Sequence, residues 1–587
     1  MSSLAGLKLV QGLNSFAMLL GMKPAALAYI LYKLPPAQKY KSFDIQKKSG
    51  GVRKIMAPEP RLKLVQRRLA DLLLRCQSEI EISIGVTDEC TLAHGFKPRL
   101  SISTNAHKHR NRRWVFNADI EDFFSTINFG RVYGFFQKNK HFALSKPVAT
   151  IIAQIACHEN KLPQGSPCSP VISNIIAHIL DVHLNDLASR HNCTYTRYAD
   201  DLTFSTNEKY FPRAIAKRQD NNFHEWLPGS GFSKVLKSSG FKLNPQKTRM
   251  QYCDSRQEVT GLVVNRKINV RQHYYKYVRA MTRQLVTGNK PFVTLAGKKV
   301  EVSLDQLRGM LNFVYFIKFS ENERIGSTFD KAKDKPPSYH TLYRQFLDYI
   351  LFYGIDEPTI ICEGKTDNIY LKAAIRSRAS HFPDLIETKG GVARIRPRFF
   401  KYNDTTAALQ DLSGGAGELN NLLSHYRNRT KAFKSGAAQP VIIVVDNDSG
   451  AKPLFAHIHN LDKKAGPVDG SKQYYYIYEN LYVVPVPKVG GADTPIEMLF
   501  EKKLLSAVLN GKHLDLTGDK DPSKYYFKNE FAVHIVKKGG APVNFDGFDP
   551  LLKALVAVKL DYTKRVAAMA SSVPATALPL TKAASKP

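Results

Sequence analysis

The chain has 587 residues, with 85 Lys and Arg against 51 Asp and Glu, a formal charge of +34 and a sequence pI near 9.7. With 43% hydrophobic and 10% aromatic residues it is too rich in core-forming side chains to be a disordered cationic tail protein, and its length predicts about three to five domains. So large a basic excess calls for a polyanionic partner.

No run of about 18 apolar residues occurs, and Lys8 and Lys23 interrupt the N-terminal amphipathic pattern, so the expectation is a cytoplasmic protein without a membrane span. Seven Cys form no C-x-x-C pair and read as buried thiols in a reducing compartment. Along the chain, residues 61–74 (RLKLVQRRLADLLL) have helical periodicity, and residues 114–120, 195–199 and 202–205 read as short apolar strands. A charged, Pro-containing stretch at 320–338 precedes an aromatic helix-like run at 339–353, and Gly354 and Pro358 place a boundary near 355. Beyond it, residues 359–362 and 441–445 are apolar strands, and the Ala, Ser, Pro and Lys residues from Met569 predict a disordered tail. Both halves read as mixed α and β. Residues 1–350 hold 53 Lys and Arg against 27 Asp and Glu, so the polyanion belongs mainly to that part.

The most informative local string is Tyr198-Ala199-Asp200-Asp201 between two apolar runs. Two adjacent Asp at a tight hairpin repel each other unless a cation neutralises them. A third carboxylate, Asp119, ends the strand at 114–120. Nucleotide polymerisation uses two divalent ions about 4 Å apart, and three carboxylates suit a hard ion such as Mg²⁺. Taken alone a D-D pair is more often a solvated turn, but further strings accompany it. Leu162-Pro163-Gln164-Gly165 precedes an apolar helix, Gly240-Phe241-Lys242-Leu243-Asn244-Pro245 leads to Lys247, and residues 45–54 (IQKKSGGVRK) are basic and glycine-containing.

In this order and at these separations the strings resemble the palm motifs of reverse transcriptases, over residues 42–270. The resemblance implies a right-hand fold of fingers, palm and thumb. It makes Asp119, Asp200 and Asp201 the metal ligands for two Mg²⁺, and Phe124 the bulky residue that disfavours a 2′-hydroxyl, so that dNTPs are substrates. Gln164 and Gly165 would line the nucleotide pocket, Arg53 would bind the triphosphate, with Lys47 and Lys54 as weaker candidates, and Lys247 would neutralise or protonate pyrophosphate. Asn105-Ala106-His107-Lys108-His109 and Val259-Thr260-Gly261 resemble the N-A-x-x-H and V-T-G signatures of retron reverse transcriptases. Asn105, His109, Val259, Thr260 and Gly261 are accordingly RNA-binding candidates. The implied partners are a folded non-coding RNA and its branched RNA-DNA product, msDNA. Residues 265–283, basic with interleaved Tyr, look like a thumb.

In the second half, an apolar strand ends in Glu363-Gly364 and another ends in Asp446-Asn447-Asp448. Alternation puts Asp446 and Asp448 on one side, and a parallel neighbouring strand would bring Glu363 beside them. These strings resemble the Toprim fold, most closely its overcoming-lysogenization-defect nuclease branch. That implies a Rossmann-like domain with Glu363, Asp446 and Asp448 as ligands for Mg²⁺ or Mn²⁺, Asp367 and Glu497 serving a second ion, and a nucleic-acid target. The basic insertion at 394–401 is placed to contact that target.

The expected architecture is thus multidomain α/β and α+β. Residues 1–260 form reverse transcriptase fingers and palm, 261–354 thumb and connector, 355–568 a Toprim domain and 569–587 a tail. The expected function is msDNA synthesis coupled to a nuclease effector restrained by msDNA, acting against phage, and a homo-oligomer is compatible with it. Two alternatives stay open: a group II intron-like reverse transcriptase, and an active polymerase whose Toprim domain is an inert binding or oligomerisation platform.

Overall fold

The computed structural model describes residues 2–46, 50–87, 90–219, 222–295, 297–324, 326, 335–434, 437–461, 466–517, 520–538 and 543–571. Lys47 and most of the expected tail, from 572 onward, lie outside them; the C-terminal helix continues to Ser571. The chain divides into two compact units, Met1–Tyr274 with Phe316–Ser327, and Tyr275–Tyr315 with Thr328–Pro587.

In the first unit, strands β1 (Tyr40–Gln46) and β2 (Val52–Pro58) form an antiparallel ribbon with Gln46 opposite Val52. Helix α1 (Pro60–Ser83) follows at once, because Pro60 suits the first helical turn and the Glu59 carboxylate caps the Arg61 and Leu62 amides. Its Leu62, Val65, Leu69, Leu73 and Cys76, spaced three or four apart, are buried. After helix α2 (Ile102–Lys108) comes β3 (Trp114–Asp119). Helix α3 (Ser169–Ser189) then leads into the hairpin of β4 (Thr194–Tyr198) and β5 (Asp201–Thr206), and β6 (Arg249–Tyr252) completes the sheet. The antiparallel order is β4-β5-β3-β6. Phe116, Tyr195 and Phe204 of this sheet sit in one apolar core with Leu180 and Leu184 of α3. A small hairpin of β7 (Glu258–Val259) and β8 (Leu262–Val263) follows.

In the second unit, β9 (Thr359–Cys362) is followed by helix α4 (Asp367–Ser377), the antiparallel ribbon β10 (Ile386–Lys389) and β11 (Val392–Ile395), and the short strand β12 (Arg398–Phe399). Helix α5 (Ala416–Thr430) precedes β13 (Val441–Val445); helix α6 (Lys452–Leu461), β14 (Tyr475–Tyr478) and β15 (Leu481–Pro485) come next. The sheet runs β12-β9-β13-β15-β14, parallel except for the β14–β15 pair. Both faces are covered. Ile360, Ile442 and Val444 pack with Leu371 and Ile375 of α4, while Ile361, Ile443 and Val445 pack with Leu419 and Leu423 of α5 and Leu454 of α6. Burial on both faces is why β13 reads Val-Ile-Ile-Val-Val without a polar residue.

All seven cysteines are free. Four are buried as expected, but Cys90 and Cys253 are exposed, so a thiol's burial follows its place in the fold rather than the odd count. Among the described residues no single helix is long and apolar enough to cross a membrane.

Candidate functional site

In the first unit, β3 ends at Asp119 directly opposite Asp201, the first residue of β5, and Tyr198 pairs with Asp201 across a two-residue turn, Ala199-Asp200. Ala199 has φ +56°, a conformation that an alanine adopts only under constraint. The Ile120 amide donates to the Asp200 carbonyl at 2.9 Å, fixing the turn beside the end of β3. Three carboxylates thereby share one sheet edge. Asp119 is buried, and burial followed by Asp200 raises its pKa against the pull of Lys247, whose Nζ lies 2.8 Å from Oδ2. Asp201 is exposed yet hemmed in by protein, and desolvation, then Asp200 and Asp119, push it up to about 6.

The reason the turn can hold its strained shape lies behind it. Arg197 is fully buried and donates from Nε and Nη2 to the two Asp181 oxygens at 2.8 and 2.7 Å, and from Nη1 to the Ala199 carbonyl and Asn174 Oδ1, both at 3.0 Å. Tyr195 donates to the same Asp181 at 2.9 Å. Gly95 completes the seat, since a Cβ there would stand 2.7 Å from the Ala199 nitrogen. Sequence reasoning passed over Arg197, Asp181 and Asn174, although an Arg and an Asp inside apolar runs, at a strand and a helix, are a signal for a buried pair.

The other polymerase candidates surround this edge. The Met56 amide of β2 donates to the Gln164 carbonyl at 2.7 Å, and a Cβ on Gly165, at φ +124°, would meet the Met56 carbonyl at 2.5 Å. Only glycine lets the loop approach the ribbon that carries Arg53. Arg53 is exposed and favours the ionised Asp119. Lys54 lies on the same strand opposite Asp44. Phe124 is half-buried against Phe123 and Phe96, ring centroids at 5.5 and 6.1 Å. Phe96, another residue the sequence reading missed, is 40% exposed and extends this aromatic wall.

The expected RNA contacts divide. Asn105, His109 and Val259 are inside the protein, so these three side chains do not present themselves to RNA here. His109 bridges Ser205 Oγ and Thr196 Oγ1, both at 2.7 Å, and the Thr196 hydroxyl donates to Asn105 Oδ1 at 2.7 Å. Asn105 on α2 and His109, the residue that caps its C-terminus, both reach the hairpin strands and brace them. Thr260 and Gly261, at φ +47° and +83°, form the two-residue turn between β7 and β8, as a type I′ hairpin requires. They line a cavity of about 390 Å³ with Asp201, Lys247 and Arg249.

In the second unit, the parallel pairing of β9 with β13 brings Glu363 next to Asp446, whose amide donates to Glu363 Oε2 at 3.2 Å. Asp446 Oδ1 accepts from the Ile496 amide at 2.9 Å, and Asp367 Oδ2 accepts from the Gly364 amide at 2.7 Å. Asp448 caps the following turn through the Gly450 amide. Burial, followed by Asp367, Glu363 and Glu497, pushes Asp446 up to about 8, and burial raises Glu363, Asp367 and Glu497 as well. Lys528, absent from the sequence reading, puts Nζ 3.1 Å from Glu497 Oε1, and against its own desolvation Glu497, Asp446 and Asp367 hold its charge. In the first unit Asp201 and in the second Asp446 have their pKa raised by burial and then by neighbouring carboxylates, an effect a divalent cation would relieve. Among the described residues, however, no three His, Cys, Asp or Glu side chains are already converged as a metal-ligand set, and a lysine ammonium supplies the local counter-charge in each.

Residues 45–278 match the family model described as reverse transcriptase (RNA-dependent DNA polymerase). This segment carries the reverse transcriptase fold. The chain containing it is 32% identical over 307 residues to the retron Mx65 reverse transcriptase of Myxococcus xanthus, covering 49% of this chain and 63% of that one. It is 28% identical over 300 residues to the retron Ec86 reverse transcriptase of Escherichia coli, covering 51% and 82%, and 31% identical over 336 residues to the retron Mx162 reverse transcriptase of Myxococcus xanthus, covering 53% and 64%. The chain thus spans less than two thirds of the Mx65 and Mx162 enzymes. Telomerase from Candida albicans aligns over 52% of this chain and 63% of its own at 11% identity and a TM-score of 0.30, too loose for comparing geometry. The edge bearing Asp119, Asp200 and Asp201 lies within the matched residues.

Proposed function

We propose that the chain is a retron reverse transcriptase, a cytoplasmic RNA-directed DNA polymerase that makes msDNA from a bound non-coding RNA. The observation that carries this is the placement of Asp119 and Asp201 in cross-strand register, with Asp200 in the adjoining β4–β5 turn and the Arg53 and Lys247 charges acting on Asp119. Asp119, Asp200 and Asp201 would hold Mg²⁺. When bound, that ion supplies charge to activate the primer hydroxyl and neutralise the triphosphate. The chain's own residues do the rest. Arg53 pairs with triphosphate oxygens, Gln164 and Gly165 shape the nucleotide pocket, and the Phe124 ring crowds the sugar so that a 2′-hydroxyl is rejected. Lys247, already bound to Asp119, is placed to pass a proton or positive charge to departing pyrophosphate. Replacing Asp200 by Asn should abolish dNTP incorporation and leave RNA binding intact, since a carboxylate is lost without change to the basic surface; normal incorporation would refute the assignment.

For the second unit the reading is a Toprim-like, metal-dependent nuclease effector that msDNA restrains, in an antiphage system. Its support is the gathering of Glu363, Asp367, Asp446 and Glu497 at the carboxyl ends of a parallel sheet, where such folds place their ligands. The ion would be Mg²⁺ or Mn²⁺. If Glu363→Ala fails to relieve the growth arrest that follows msDNA degradation in cells, the effector reading is wrong. The Lys528–Glu497 ion pair favours a second reading, an inert platform, because the ammonium already satisfies one carboxylate. Purified protein that cleaves no DNA or RNA with either ion would select it.

A further inference from the structure

The residues inserted between β9 and β13 build a feature that the acidic site does not explain. Lys372 and Arg376 stand one turn apart on α4, with about 6 Å of axial rise between them. Lys401 follows the edge strand β12, and Lys537 ends the π-helical turn Phe531–Lys537. Lys372 Nζ lies 4.7 Å from the centre of the Phe399 ring on β12. Burial, then Lys401, with Arg376 and Lys537 adding to them against Cys362, work against the Lys372 charge, so three other cations act on Lys372. None of the four has a carboxylate at ion-pair distance among the described residues. A crowd of like charges costs stability unless an external anion compensates it.

A cavity of about 500 Å³ opens on the same strand, lined by Arg308, Arg398 and Lys401, with Asp404 as its one carboxylate and Phe399 and Tyr343 as apolar walls. Arg398 is ion-paired with Asp356, but Arg308 and Lys401 have no acidic partner among the described residues. The edge is tied to the acidic cluster: Tyr402 donates its hydroxyl to the Cys362 carbonyl, one residue before Glu363, and Asn368 Nδ2 donates to the Phe400 carbonyl at 2.9 Å. Uncompensated cations on the Lys372 side and in the cavity therefore flank carboxylates that call for a metal. Their spread over four elements, α4, the residues after β12, the Phe531–Lys537 turn and the helix Leu304–Arg324, exceeds a single phosphate group and suits a chain of them.

We propose that the β12 edge, through Lys372, Arg376, Lys401, Arg308 and Lys537, binds the phosphate backbone of a nucleic-acid strand and holds it across the Glu363–Asp446 cluster. This deepens the nuclease reading and rests on it for what happens to the strand, but binding itself needs no cleavage. The test is lysine acylation footprinting by mass spectrometry on the full chain in EDTA. The probe is a single-stranded DNA of about 20 nucleotides, longer than the ~4–16 nucleotides one groove takes. Lys372, Lys401 and Lys537 should each be protected at least about threefold, and the protection should fade with added salt as phosphate contacts do. In K372E/K401E, protection of Lys537 should vanish while protection on the first unit persists. Unchanged reactivity of Lys372 and Lys401 at saturating DNA overturns the proposal. So does equal protection by tripolyphosphate at the same phosphate concentration, which would make this a small-anion site. Cleavage assays with Mg²⁺ are run separately: protection without cleavage removes the nuclease reading and leaves the strand site standing.

Discussion

Arg197 and Asp181 hold each other through two parallel hydrogen bonds, 2.8 and 2.7 Å, with both side chains withdrawn from water. The guanidinium's remaining nitrogen donates to the Ala199 carbonyl, so the pair sets the position of the turn that carries Asp200. Arg197→Ala leaves Asp181 buried without its partner and should cost about 3–5 kcal/mol, read as a shift in the urea midpoint. Arg197→Lys keeps the charge but loses the fork; it should fold, bind RNA, and incorporate dNTPs at least about tenfold more slowly, with kcat and not KM carrying the loss. Equal kcat in the lysine variant would reduce Arg197 to a packing residue.

Gly165 is where the loop before α3 touches β2. Gly165→Ala must place a Cβ 2.5 Å from the Met56 carbonyl at φ +124°. The expected cost is about 2 kcal/mol or more, together with a raised KM for dNTPs as the ribbon bearing Arg53 is displaced. Denaturation and steady-state kinetics on one preparation read both effects, and wild-type stability would contradict the close approach.

Phe124, five residues after Asp119, and Phe96 form an aromatic wall with ring centroids 6.1 Å apart. Phe124→Ala opens that wall where a 2′-hydroxyl would sit, and the preference for dNTPs over rNTPs should fall about tenfold or more. Competition between labelled dNTP and rNTP measures it, and unchanged discrimination would assign the sugar contact elsewhere.

His109 predicts an acid transition. Burial, then the positive neighbours His94, Arg112 and Lys108, lower its pKa from 6.5 to about 3, and His94 is lowered to about 4 by burial, then by Lys108 and Lys97. Between these values and 6.5 the unfolded chain binds protons that the folded chain refuses. The stability contribution is therefore complete above pH 6.5 and is lost as pH falls, by up to about 1.4 kcal/mol per pH unit for each histidine. Urea midpoints measured from pH 7 to 4 should show this slope, and His109→Gln should flatten it. A slope unaltered by that change would mean that other groups dominate.

The chemical inventory was legible in the residues. Asp119, Asp200 and Asp201, the Gln164-Gly165 loop, and Glu363 with Asp446 are local strings bounded by apolar runs. Strand alternation is enough to predict which carboxylates end up together at strand ends. The parallel pairing of β9 and β13 was likewise readable, because strands buried on both faces leave no polar alternation.

What the chain order cannot express is which polar residues fold inward. Asn105 and His109 look like RNA contacts in a basic string, yet the structure buries them against Thr196 and Ser205, nearly a hundred residues away. Arg197, Asp181, Lys528 and the cations around Phe399 acquire meaning only from partners on other elements. Periodicity reports the apolar face of one element, whereas a buried ion pair or a crowd of like charges depends on distances between several. The sequence by itself thus determined that this is a basic chain of mixed α and β, with carboxylates at its strand ends and ordered motifs that resemble a polymerase's, while the division into two units came from the fold. The tertiary structure decided what braces those carboxylates and which charges remain unsatisfied, because electrostatic energy depends on separation in space and not along the chain.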